Sequence, residues 1–160
     1  MKEVKTEIEI DSSPATAWRV LTDFSSFGDW NPVIVKITGE ARSGERLEIS
    51  LRTGRGRVRT YRPVITKFEE NHELRWKGGS SIPGFLNGER IFTFYRITED
   101  HIRLLHLEIF SGLGAFLAGS QLVKDVKPGL QQMNVAFKKR VEQETKAGNT
   151  SRNKAKTTGK

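Results

Sequence analysis

His106 and Glu108 stand two residues apart, as do Arg90 and Phe92, in a chain of 160 residues. An imidazole, a carboxylate and a guanidinium suit general-base chemistry at a ketone, with the guanidinium stabilising the oxyanion, or recognition of a polar ligand end. Residues two apart share one face of a strand. The alternating runs 88–97 and 101–110 read as strands joined by a turn at Glu99-Asp100, and that hairpin sets Arg90 opposite Glu108 and Phe92 opposite His106. A register slip of one residue would change every partner.

Two further groups stand out. Arg52, Arg55, Arg57, Arg59 and Arg62 lie within eleven residues that contain no acid. They suit capture of a phosphate or carboxylate, or form a solvated strand face that resists edge aggregation. Ile82, Pro83, Phe85 and Leu86 make an apolar tip in a Gly/Ser-rich stretch, as a lid, a membrane-touching tip, or packing for a helix. Other chemistry is narrowed: with no cysteine, thiol nucleophiles, zinc ribbons and iron–sulfur ligation are excluded. His72 and His101 fall at turns without ligand spacing, so no metal and no cofactor are expected. Neither a glycine-rich phosphate loop nor a serine nucleophile elbow is present.

The elements that must hold these residues follow from periodicity. Val4, Thr6, Ile8 and Ile10 alternate with charged residues, a strand with one dry face in a half-exposed antiparallel sheet. Ser13-Pro14 starts a short helix that turns Trp18 and Leu21 inward, and a second helical piece from Asp23 ends at Asn31-Pro32. Six strands follow near 33–39, 45–52, 57–69, 72–77, 88–97 and 101–110, with a long loop from Gly78 to Gly88. Pro63 demands an edge or a bulge. Beyond Gly112, Val126, Leu130, Met133, Phe137 and Val141 form one stripe of an amphipathic helix. Pro128-Gly129 predicts a kink or break there, with Leu113 to Val123 as a separate first segment. The expected fold is α+β: a curved seven-stranded antiparallel sheet around a long C-terminal helix, with two short helices between strands 1 and 2.

The net charge of +8 is unevenly placed, for residues 146–160 hold five basic side chains and no acid, leaving +3 for residues 1–145. The reading is one domain over 1–145 and a basic disordered tail over 146–160. The N-terminus alternates charged and apolar residues and has no signal-peptide core. The most apolar stretch, Leu113 to Ala118, is far short of the roughly 20 residues of a membrane span. A cytoplasmic protein, monomer or weak dimer, is expected.

Several stretches together carry a family likeness: Ile10-Asp11-Ser12-Ser13-Pro14, Trp18, Leu21-Thr22-Asp23-Phe24 and Trp30-Asn31-Pro32, then Gly88-Glu89-Arg90, Phe92, His106, Glu108, Phe110, Gly112 and Met133-Asn134. Residues 3–145 closely resemble the SRPBCC superfamily, also called START-like or Bet v 1-like, in its polyketide cyclase/dehydrase branch. The resemblance implies a helix-grip fold with a mostly apolar cavity between sheet and C-terminal helix, taking lipids, isoprenoids or polyketides. His106, Glu108 and Phe110 then alternate inward. Trp30, Trp76, Phe92, Phe94, Phe110, Met133 and Phe137 line the cavity, and Arg55, Arg57, Ile82, Phe85 and Leu86 sit at its mouth. Arg90 stands where many members carry a histidine. The leading expectation is binding of a small hydrophobic or amphipathic ligand with an anionic end, with Arg90, His106 and Glu108 as polar contacts. One alternative is a cyclase or dehydratase using Glu108 or His106 as base. Another is a polyanion-binding module built on the arginine strand and basic tail, with no specific nucleic acid expected because no recognised motif is present. The arginines and apolar tip are also compatible with peripheral membrane contact.

Overall fold

Ser13 opens the first helix as its sequence suggests: the side chain accepts the Thr16 N–H at 3.2 Å, and Pro14 occupies the first turn. The computed structural model of the chain describes residues 1–53 and 56–158. In it, β1 (Lys2–Ile10) leads into α1 (Pro14–Thr22), which buries Ala17, Trp18, Val20 and Leu21. A 3-10 turn at Phe24–Ser26 and the short α2 (Phe27–Trp30) follow. Asn31 then ends the helical stretch, its Oδ1 accepting the N–H groups of Val33 and Ile34 at 2.9 and 2.8 Å.

Eight strands form among the described residues. The remaining seven are β2 (Ile34–Thr38), β3 (Glu48–Arg52), β4 (Val58–Tyr61), β5 (Val64–Glu69), β6 (Glu73–Gly79), β7 (Asn87–Thr98) and β8 (His101–Ser111). They make two antiparallel sheets, β1-β8-β7-β6-β5 and β2-β3-β4, which corrects the single seven-stranded sheet. The cause is Pro63. Lacking an N–H, it cannot continue a ladder, so the expected strand 57–69 splits into β4 and β5, edge strands of different sheets. The two sheets remain joined at one corner, where Leu47 donates to the Pro63 carbonyl and Ile65 to the Glu45 carbonyl at 2.8 and 2.9 Å.

The long helix α3 (Leu113–Thr157) packs on β1 and contributes Leu130, Met133, Phe137 and Val141 to the interior. Its break is at Gly119, with φ 56° and ψ −138°, rather than at Pro128-Gly129. Only glycine adopts that conformation readily, whereas the exposed Pro128 forfeits a single backbone bond and is carried within the helix. The helix also continues past residue 146 to Thr157. Extending a docked helix requires no new nucleus, and Thr150, Ser151 and Thr157 each donate a hydroxyl to the carbonyl four residues earlier. The main core gathers Trp18, Phe24, Phe27, Trp76, Phe92 and Phe94 with the helix side chains, and a smaller cluster joins Val4, Phe110, Ala115 and Leu130. No described helix is long and apolar enough to cross a membrane.

Candidate ligand-binding site

β7 and β8 pair in the register their hairpin predicts, Arg90 opposite Glu108 and Phe92 opposite His106. An Arg90 Nη donates to the Glu108 carboxylate at 2.6 Å, and the other Nη reaches Met133 Sδ at 3.6 Å. Burial opposes the Arg90 charge, but the adjacent carboxylate overrides it and keeps the guanidinium firmly protonated. Its Nε has no partner, although the residue is 95% removed from solvent at 5% exposure.

His106 is engaged differently. Its ring stacks on Phe92 with centroids 4.4 Å apart, and its Nδ1 meets Asn134 Oδ1 at 2.8 Å. The Asn134 amide donates to Thr6 Oγ1, which donates to the His106 carbonyl, a closed loop joining α3, β1 and β8. With Asn134 Oδ1 accepting, the proton sits on Nδ1 and the buried Nε2 is left bare. Burial first, and the Arg90 charge second, lower the His106 pKa to about 3, so the ring is neutral.

Beside the ion pair lies a pocket of about 280 Å³. β3 and β4 supply Leu51, Arg59 and Tyr61, while β6, β7 and β8 supply Trp76, Gly78, Gly88, Arg90, Glu108 and Phe110, with Leu86 from the intervening loop. The space exists because side chains are missing: Gly78 pairs with Gly88 across β6 and β7, and Gly88 faces Phe110 on β8. Trp76 Nε1 donates to the Tyr61 hydroxyl at 3.2 Å, tying the two sheets along one wall. Burial raises the Tyr61 pKa, which keeps the phenol protonated. Arg59, Gly79 and Ser80 are exposed and mark the mouth.

The pocket thus lies between the two sheets. No residue of α3 lines it, contrary to the expected position between sheet and helix. Of the expected lining, Trp76, Arg90, Glu108 and Phe110 border it. Phe92, Phe94, Met133 and Phe137 are packed into the core, as is the half-buried Trp30 against Phe27 and Phe137, so these aromatic and helix positions consolidate the interior. Of the expected mouth, Leu86 borders the pocket, Ile82 and Phe85 are exposed beyond it, and Arg57 is exposed just before β4. Arg55 lies outside the described residues. Arg59, Tyr61, Leu51 and the glycine pair belong to the site although only Arg59 stood out, as one of five arginines. The signal was the paired glycines: Gly78 and Gly88 belong to strands, and the true loop is 80–86.

An antiparallel framework backed by one long C-terminal helix, with an apolar pocket walled by strands, defines an α+β protein of the START-like, helix-grip class. The chain belongs to the polyketide cyclase / dehydrase and lipid transport family, whose pattern it matches over residues 1–142. Solved structures share the fold at low identity. A START superfamily protein from Mycobacterium smegmatis superimposes with TM-score 0.73 at 20% identity, covering 88% of this chain and 97% of its own. The Zhui aromatase/cyclase from Streptomyces sp. R1128 gives 0.75 at 13%, covering 90% and 95%. Norcoclaurine synthase from Thalictrum flavum gives 0.68 at 15%, covering 90% and 96%. No curated protein matches the chain.

Proposed function

We propose that this protein binds a small hydrophobic or amphipathic molecule in the pocket between its sheets, with the polar end directed to Arg90, Tyr61 and Arg59. The observation that carries the reading is a fixed, charged Arg90–Glu108 pair in the wall of a mostly apolar pocket. Arg90 and Glu108 balance each other, so Arg59 at the mouth gives the pocket a net positive charge and favours an anionic end. A volume of about 280 Å³ is close to the lower bound of roughly 300 Å³ for ligand pockets, which points to a compact ligand or one whose tail protrudes past Leu86.

The test is a thermal-shift panel of fatty acids, isoprenoid acids and polyketide-like aromatic ketones on the wild type and Gly88→Val. A Cβ at Gly88 has Phe110 and Glu108 as its nearest neighbours at ordinary contact distances of 3.6 to 3.9 Å, so a side chain there enters the pocket from an unstrained backbone position. A ligand at a hundred times its Kd should raise the wild-type melting temperature by about 5–10 °C and leave the variant unmoved. No shift from any compound, or equal shifts in both proteins, overturns the proposal.

A second reading, cyclase or dehydratase chemistry, rests on Glu108, whose carboxylate borders the pocket beside a fixed cation. His106 is a poor base for it, being committed to Asn134 and outside the lining. On this reading Glu108→Gln abolishes turnover of a polyketide-like ketone while affinity persists, whereas equal loss of both supports recognition alone.

A further inference from the structure

In a chain that is 29% charged, residues 78–88 and 109–123 contain no charged side chain. The fold brings these two stretches together. Gly114 donates its N–H to the Phe85 carbonyl at 2.6 Å, Leu113 donates to Gly84 at 3.4 Å, and the Phe85 ring lies against Gly114. The tip so formed holds its largest side chains outward: Ile82 is 65% exposed, Leu113 58%, Phe116 76% and Leu117 68%. Single exposed apolar residues are ordinary, but several on two segments clamped together mark a surface that meets something. The segment carrying Leu113, Phe116 and Leu117 ends at the Gly119 break and is seated by the buried Ala115, which leaves those three side chains facing outward.

The neighbouring charge identifies the occupant. Ser80 and Leu86, at the ends of the 80–86 loop, share the pocket mouth with Arg59. Arg52, Arg57 and Arg59 are exposed and make no ion pair among the described residues, and no acid lies between positions 52 and 62. A second copy docking tip to tip would set these like charges against each other. An anionic headgroup layer over hydrocarbon satisfies both halves of the surface at once. We infer that the 80–86 loop and the start of α3 form a membrane-docking tip that inserts into an anionic bilayer, with the flanking arginines on the headgroups and the pocket mouth facing the lipid. Docking goes beyond the pocket reading and does not depend on which ligand the pocket takes.

The experiment is co-sedimentation of the full chain with vesicles of phosphatidylcholine alone or with about one-third phosphatidylserine, at rising salt. The protein should partition onto the anionic vesicles and be released by salt. Phe116→Ser/Leu117→Ser should lower partitioning at least about tenfold, because two exposed side chains lose their hydrocarbon burial. Arg57→Gln/Arg59→Gln should weaken binding and flatten its salt dependence. A full-length control with Lys146, Arg152, Lys154 and Lys156 changed to Gln should keep most of the binding. The inference is overturned by absence of vesicle binding. It is equally overturned if the control loses binding that Phe116→Ser/Leu117→Ser retains, which would assign the membrane contact to the basic helix end. Conversion of a dimer to a monomer by Phe116→Ser/Leu117→Ser with vesicle binding unchanged would make the tip a self-association surface. Ligand-induced thermal shifts should persist in Phe116→Ser/Leu117→Ser, so failure of docking and failure of pocket binding read out separately.

Discussion

Arg90 and Glu108 are both mostly buried, with side-chain exposures of 5% and 12%, so neither charge is tolerable without the other. Glu108→Leu and Arg90→Met should therefore each destabilise the fold by about 3–5 kcal/mol, and the combined Arg90→Met/Glu108→Leu by much less, in urea unfolding. Additive losses would show that the pair is not coupled. His106 gives a pH dependence whose sign is fixed. Its pKa falls from the ordinary 6.5 to about 3 on folding, so below about pH 6.5 the unfolded chain binds a proton that the folded chain refuses. Stability should drop by about 2 kcal/mol between pH 7 and pH 5, and the loss continues until the folded pKa is reached. The carboxylates with lowered pKa, such as Glu9 and Glu69, act mainly below about pH 5, where their loss adds to that of His106. His101, raised by hydrogen bonds to Glu9 and then Asp11, has the opposite sense, its contribution complete in acid and fading as the pH rises through its folded pKa. Urea midpoints at pH 7 and 5 should show the loss in the wild type. His106→Phe, which keeps the stack on Phe92 but strands Asn134, should be less stable at pH 7 and lack the slope. The pairing of these residues was legible in the hairpin's numbering. Their environments were not, because His106 and Glu108 share a strand face yet one meets Asn134 and the other meets Arg90 at the edge of the pocket.

At the scale of elements, glycine and proline decide the architecture. Alternation located the strand segments, with β4 and β5 run together as 57–69, and Ser13-Pro14 located the start of α1, because those signals are local. Pro63 was legible as a disruption, but its effect, moving the chain from one sheet to the other, depends on segment 44–47 pairing with it. Gly78 and Gly88 read as loop ends because strands rarely favour glycine. Only the assembled sheet shows that the pair opens a pocket. The break in α3 went to Gly119 because a proline on an exposed helical face is tolerated, whereas a left-handed glycine cannot continue a helix. The two pocket glycines should respond differently to a methyl group. A Cβ at Gly78 would lie 3.1 Å from both Pro63 Cα and Cβ, a rigid neighbour that cannot yield. Gly78→Ala should cost about 1–3 kcal/mol, while Gly88→Ala, with its nearest atom 3.6 Å away, should be neutral or slightly stabilising. Equal melting temperatures for the two variants would mean that the join between β4 and β5 moves freely.

For the whole molecule the distribution of charge matters more than its sum. The packed body ends at Thr145, whose hydroxyl donates to Ser12 Oγ at 3.1 Å, and every described residue beyond it is exposed. Five of the eight net positive charges lie past that point. The helical extension from Lys146 to Thr157 has no apolar contact to hold it, so it is sustained only by propagation from the docked part of the helix, which is weak per residue in water. It should fray independently of the domain. Deleting residues 146–160 should leave the melting temperature within about 2 °C of the full chain, since exposed changes away from packed features rarely exceed about 0.5 kcal/mol. Brief trypsin treatment should cleave at Lys146, Arg152, Lys154 or Lys156 before any site in the body, including the exposed Arg52 and Arg57. Deletion of residues 146–160 lowers the net charge from +8 to +3 without removing a residue of the pocket or the apolar tip. A fall of more than about 5 °C on deletion, equivalent to one or two kcal/mol, would show that the extension packs on the body and that its charge is part of the folded surface.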